Sequence, residues 1–190
     1  MKEKDDNIWS DYTKEYMRQI IENYRDGKGL FLDDIGMMDK YVIGIYDVIE
    51  ELNPKSILEC GCGGCYNIKN LRTILPEAEV HGFDVSEEQL SFGMWFCDIG
   101  WDGLSIMDIT KDYPDRTYEL VFTNAVIMHL STDNAIKALK NMKRMTSKYI
   151  LLQENPEHHG GVDEWMRMIK GVYPNWTIKT NEEIILLQKQ

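Results

Sequence analysis

Ser56-Ile57-Leu58-Glu59-Cys60-Gly61-Cys62-Gly63-Gly64-Cys65 is a short, largely apolar run that stops in a glycine-rich turn. A run of this length bounded by Gly reads as a buried strand, Ser56 to Cys60, and the residues beyond, Tyr66 to Leu75, read as a helix. The same alternation repeats downstream. Ala78 to Asp84 is a second strand, and Ser86 with Gln89 three residues later forms a capping box that opens a helix. Leu104 to Met107 and Tyr118 to Thr123 are further strands, followed by a helix from about Thr132 to Met145. Lys148 to Gln153 is a fifth strand and Val162 to Tyr173 another helix. Strands separated by helices imply βαβ crossovers and a parallel sheet covered on both faces. The last two β-rich runs, Trp176 to Lys179 and Ile184 to Gln188, are joined by a turn too short for a crossover, so they form an antiparallel hairpin. The expected fold is α/β, a doubly wound, mainly parallel seven-stranded sheet with a C-terminal antiparallel hairpin.

Upstream of the first strand the pattern is helical. Tyr12, Tyr16, Ile20 and Tyr24 recur four apart in a helix from about Tyr12 to Arg25, which Gly27 and Gly29 break. Met38, Val42, Ile45, Val48 and Ile49 mark a second helix from about Asp34 to Leu52, ended by Asn53-Pro54. Residues 1–53 therefore form an N-terminal helical cap, and residues 54–190 the sheet domain, in one compact unit.

The chain has 190 residues, 43% hydrophobic and 28% charged, the mix of a single globular domain with a sizeable core. No apolar run approaches the roughly 18 residues of a membrane span, and MKEKDDNIWS lacks the apolar region of a signal peptide. The expectation is a cytoplasmic protein that does not meet a membrane, as a monomer or homodimer. Its 21 basic and 32 acidic side chains give a net charge of −11. Nucleic-acid binders carry a basic face to displace counterions, whereas here the densest basic stretch, Lys137 to Lys148, is spread around a helix. The balance disfavours nucleic acid and suits a small or cationic ligand.

Of the four cysteines, Cys60, Cys62 and Cys65 crowd into one turn and Cys97 stands apart. Disulfide frameworks spread their cysteines to close larger loops, so these read as reduced thiols. A metal cluster is the other reading, but the stretch lacks the paired C-x-x-C knuckles of structural zinc sites. No metal is expected.

In doubly wound sheets ligands sit beyond the carboxyl ends of the strands, at the switch point. At those ends stand Glu59 with Gly61 and Gly63, then Asp84, Asp108 and Asn124, with His129 shortly after. A dinucleotide fingerprint would need a third Gly where Tyr66 stands, and the acid before Gly61 suits a cationic amine better than a pyrophosphate. Asp84 lies where a carboxylate can accept both ribose hydroxyls.

The series ILECGCGG, HGFDVS, SIMDIT and YELVFTNAVIMHL resembles the class I S-adenosylmethionine-dependent methyltransferases, over about Ser56 to Glu154. The resemblance implies that Glu59, Cys60, Gly61 and Gly63 form the loop for the methionine part. It further implies that Asp84 takes the ribose, Val85 packs on adenine, and Asp108 with Ile109 binds the adenine edge. Asn124 would offer its backbone carbonyl to the cofactor amine. Cys65 stands where the family often has Gly, and Gly64 is expected to absorb the turn. S-adenosylmethionine would be the cofactor and S-adenosylhomocysteine the product.

Methyl transfer asks the protein chiefly to align a nucleophile and exclude water, with a base where the acceptor must lose a proton. His129 is the candidate base. Glu154, Glu157, His158 and His159 follow the fifth strand and are candidates to line the acceptor pocket, although His158-His159 also reads as an exposed loop pair. Trp9, Tyr12 and Tyr16 are candidates for an aromatic lid over the sulfonium; the competing reading is a plain amphipathic helix. His81 reads as structural, and Asp133 and Asn134 as helix-capping residues. The expected activity is methylation of an oxygen or nitrogen on a small-molecule acceptor. Its rivals are a methyltransferase acting on protein or RNA, a non-catalytic cofactor-binding protein and, more weakly, a nicotinamide oxidoreductase.

Overall fold

The computed structural model describes Arg18, Gln19, Ile21, Glu22, Arg25, Asp26 and residues 40–190 apart from 182 and 183. Trp9, Tyr12, Tyr16 and the start of the second expected helix lie outside the described residues. The described elements run α1 (Lys40–Leu52), β1 (Ser56–Cys60), α2 (Tyr66–Ile74), β2 (Glu79–Asp84), α3 (Glu87–Cys97), β3 (Leu104–Ile106) and β4 (Tyr118–Asn124). They continue with α4 (Thr132–Met145), β5 (Thr146–Gln153), α5 (Val162–Val172), β6 (Thr177–Thr180) and β7 (Ile184–Gln188).

The seven strands form one sheet in the order β3-β2-β1-β4-β5-β7-β6. Neighbours from β3 to β5 pair in parallel, and β7 runs antiparallel to both β5 and β6. The chain winds outward from β1 to β3 and then returns to β4 on the other side of β1. The switch point therefore lies between the carboxyl ends of β1 and β4.

Period-two alternation of apolar residues divides the core between the two faces. Leu58, Val121, Ile150 and Leu152 face α4 and α5, packing with Ala138, Leu139, Met142, Trp165 and Ile169. Ile57, Leu120, Phe122 and Leu151 face α1, α2 and α3, packing with Ile45, Ile49, Ile68, Leu71 and Leu90. Glu59 shares the parity of Ile57, so its carboxyl emerges on the α1–α2 face rather than beneath α4.

Helix starts and stops follow local chemistry, with two corrections to the sequence expectations. Ser86 Oγ accepts from the Gln89 amide at 3.2 Å, as a capping box requires, but the Ser86 amide is taken by Asp84 Oδ1 at 2.9 Å. The cap of α4 is Ser131, whose side chain accepts from the Asn134 amide at 3.4 Å. Asp133 instead occupies the first turn, where its charge complements the helix dipole. Asn53 ends α1 in the left-handed region (φ 42), a conformation Asn tolerates.

Candidate active site

The turn after β1 is held from beneath by β2. The Gly61 and Cys62 amides both donate to the Phe83 carbonyl, at 2.7 and 3.0 Å. The Gly63 amide donates to Asp84 Oδ2 at 2.9 Å. Asp84 thus braces both its own turn and the glycine loop, and is itself buried. Burial raises its pKa despite the backbone amides of Ser86, Gly63 and Val85 that favour its charge. Val85 beside it is 48% exposed, an apolar surface left open at the strand end.

Glu59 is 2% exposed. Its Oε1 accepts from Asn67 Nδ2 at 2.7 Å, while Oε2 is buried with no hydrogen-bond partner. Burial pushes its pKa up to about 8; the Asn67 bond opposes that rise and Asp84 adds to it. Behind Asn67 the hydrogen bonds continue: Tyr46 Oη donates to Asn67 Oδ1 at 2.5 Å, and Asn70 Nδ2 donates to Tyr46 Oη at 2.9 Å. Residues of α1 and α2 thus converge on the one acid of β1. Asn67 and Asn70 stand three apart among Ile68 and Leu71. Two amides at that spacing on a face that should be apolar were the available sequence signal for this network.

Glycine is required where the backbone turns and closes. Gly61 has φ +78, and a Cβ there would lie 2.5 Å from Val126 Cγ2, so the β1 turn and the turn after β4 meet without room for a methyl group. Gly64 does not absorb the tight turn as expected. Cys65 itself takes the left-handed conformation (φ 61) as the cap of α2. A Cβ at Gly93 of α3 would lie 2.5 Å from the Gly64 backbone, so it is the bare Cα of Gly93 that lets α3 close on the loop. Cys97 Sγ donates to the Gly64 carbonyl at 3.3 Å, and all four thiols are free and buried. Among the described residues no three His, Cys, Asp or Glu side chains group as metal ligands.

Two expected cofactor contacts turn inward. Cys60 and Ile109 are buried in the core on the α4–α5 face, and the Ile109 carbonyl accepts from Asn141 Nδ2 at 2.8 Å. Only the backbone of Cys60 belongs to the loop, and the side chain and carbonyl of Ile109 are turned into the core. Asp108 bonds locally: Oδ1 accepts from the Thr110 amide (2.9 Å) and hydroxyl (2.7 Å), and Oδ2 pairs with Lys111 at 2.9 Å. Burial alone would raise its pKa, but Lys111 and Thr110 outweigh it and the net shift is downward.

The turn after β4 is built around a strained residue that sequence reasoning missed. Asn124 ends the strand opposite Gln153, and Ala125 then adopts φ 55, a conformation costing an alanine about 1 kcal/mol. It turns the chain into the 3-10 segment Ile127–His129. Glu154 clamps that segment: Oε1 accepts from the Val126 amide at 3.1 Å and Oε2 from the Met128 amide at 3.0 Å. Glu154, buried and with both oxygens bonded to backbone amides, is a scaffold for the turn. His159 is also structural, with Nε2 donating to the Ile127 carbonyl at 2.9 Å and its ring stacked on Trp165. His158 points the other way and is exposed, its ring edge-on to His129 with centroids 6.2 Å apart. Partial burial and the neighbouring His158 lower the pKa of His129. The structure thus splits the histidine pair and brings one half to the candidate base. His81 is structural as expected, bonded to the Tyr118 hydroxyl at 2.8 Å.

The orphaned acid on β1, the brace on β2 and the exposed histidines after β4 and β5 all stand at the carboxyl ends of the central strands. Comparison with known proteins bears on the family and the fold. The family model described as a methyltransferase domain matches residues 57–148. A TehB-like SAM-dependent methyltransferase from Corynebacterium glutamicum is similar at 14% identity and TM-score 0.73, with 95% of this chain and 100% of that one covered. Magnesium protoporphyrin IX methyltransferase from Synechocystis, with bound SAM, is similar at 14% identity and TM-score 0.62, covering 78% and 77%. TehB from Haemophilus influenzae is similar at 18% identity and TM-score 0.59, covering 81% and 63%. No curated protein matches the chain by sequence.

Proposed function

We propose, from the premise that this chain belongs to the class I S-adenosylmethionine-dependent methyltransferases, that it methylates an oxygen or nitrogen of a small-molecule acceptor. The cofactor fits the residues present. Glu59 Oε2 is a buried polar atom without a partner, and a ligand's primary ammonium is the group that satisfies it. Glu59 and the Gly61–Gly63 loop would hold the methionine part, Asp84 the ribose and exposed Val85 the adenine face. Asp108 would serve adenine only by giving up Lys111, an exposed partner. Bound S-adenosylmethionine supplies an activated sulfonium methyl group.

The observation carrying the acceptor reading is the His129–His158 pair, solvent-accessible and adjacent to the β1–β4 switch point. His129 is the free base at neutral pH because its pKa is lowered, so it can take a proton from an acceptor hydroxyl or ammonium. His158, on a separate turn, borders the same space and would contact the acceptor. The net charge of −11 supports a small acceptor over nucleic acid. Among the described residues no helix is long and apolar enough to cross a membrane, which accords with a cytoplasmic enzyme.

The test has two stages. Calorimetric titration with S-adenosylhomocysteine should give micromolar binding that collapses in Asp84→Ala. Methyl label from S-adenosylmethionine should then enter small extractable acceptors. Label appearing only in protein or RNA would overturn the small-molecule reading. Tight cofactor binding with no transfer to any fraction of a cell extract would favour a binding protein.

A further inference from the structure

We infer that Asn67, itself held by Tyr46, is a positioning residue that keeps the proton of free Glu59 on Oε2, from which the arriving ammonium group of the cofactor expels it. The inference deepens the cofactor reading and rests on it. Its basis is the direction of the buried hydrogen bonds. Asn70 donates to Tyr46, Tyr46 donates to the Asn67 carbonyl, and the Asn67 amide is thereby turned to donate to Glu59 Oε1. An oxygen already receiving a donor is the poorer place for a proton, so the carboxyl proton belongs to Oε2, the atom with no partner.

The charged state of Glu59 has little support in the free protein. Asp84 on β2 repels it, as do Cys60, Cys62 and Tyr46 in any ionised form, and among the described residues the Asn67 amide is its one donor. Among the described residues no lysine or arginine supports its charge. An amino-acid ammonium changes that balance: Glu59 loses its proton to solvent, and Oε2 becomes the acceptor of the ammonium N–H. The site thus binds with release of one proton, and its affinity depends on pH through an acid that touches only the ligand's amine.

Titration with S-adenosylhomocysteine in buffers of different ionisation enthalpy counts that proton. Wild type should release close to one at pH 7, with affinity rising about tenfold from pH 6 to pH 7 and levelling as the pH approaches the Glu59 pKa. Glu59→Gln should weaken binding and abolish the release. In Asn67→Leu the carboxyl loses the bond favouring its charge, so affinity at pH 7 falls while the rise with pH extends further upward. Tyr46→Phe, a smaller change, should shift the same profile in the same direction. A ligand-free readout is available from pH-dependent melting. As pH rises through the ordinary glutamate range toward 8, wild type should lose stability relative to Glu59→Gln, since a raised acid stabilises the fold only while protonated. Normal affinity with no proton release overturns the inference and leaves the cofactor reading intact. Absence of any binding by folded wild type overturns the cofactor reading itself. Variants whose melting changes while the pH profile stays fixed reduce Asn67 and Tyr46 to structural parts.

Discussion

The two halves of the site are built on opposite plans. Around β1 and β2, Glu59 and Asp84 are buried, braced by amides from the loop and from α2, and locked together by glycines that admit no side chain. Around β4 and β5 the candidate reacting groups, His129 and His158, are exposed, and their carriers are short turns held from below by Glu154 and His159. On the proposed function, the difference follows from what each half would have to do. A cofactor of fixed shape and charge can be met by a rigid, desolvated, preorganised surface. An acceptor enters from solvent, so its half must stay open, and rigidity there is confined to the turn beneath.

This contrast can be broken by mutation. The largest effect is expected at Asp84→Ala, which removes the carboxylate bracing Gly63 and Ser86. S-adenosylhomocysteine affinity should fall by about 100-fold or more, equivalent to about 3 kcal/mol, in calorimetry. Binding within tenfold of wild type would show that the brace is dispensable. His129→Ala should lower turnover about 100-fold or more while leaving cofactor affinity unchanged. Weakened cofactor binding in that variant would merge the two halves into one.

Glu154→Gln tests the scaffold beneath the open half. One of the two amides it serves would face an NH2 group instead of an oxygen, costing about 2 kcal/mol in unfolding and reducing turnover with it. Unchanged melting would deny it the clamping role. Gly61→Ala should cost about 1–3 kcal/mol, and adding Val126→Ala should recover the steric part but not the part due to positive φ. Full additivity would mean that the two turns do not touch. The smallest effect concerns pH. With its pKa below 6.5, His129 is neutral at pH 7, so the acid limb of kcat/KM should lie below 6.5. Burial, the first cause of the lowering, stays, while His158→Ala removes the second, so the limb should move upward.

Strand order, the glycine turn and the acids at the strand ends were legible because they depend on short-range pattern. Period-two apolarity selects strands, Gly permits turns, and crossover lengths choose parallel or antiparallel pairing. Thus Glu59, Asp84 and Asn124 were placed correctly at their strand ends from spacing alone. Side-chain direction was legible less often. Ile109 and Cys60 lie beside site residues in the chain, yet their side chains enter the core. Glu154 and His159 follow a strand end like any pocket residue, but tertiary packing gives them backbone groups to hold.

By itself the sequence determined a doubly wound sheet, its switch point and the family of chemistry there, since each is encoded in residues close along the chain. Only the tertiary structure decided which carboxylates are buried, which histidine meets His129, and that Tyr46, Asn67 and Asn70 converge on Glu59. Those facts depend on desolvation and on hydrogen bonds between residues far apart in sequence, and such partners exist only once the helices have packed on the sheet.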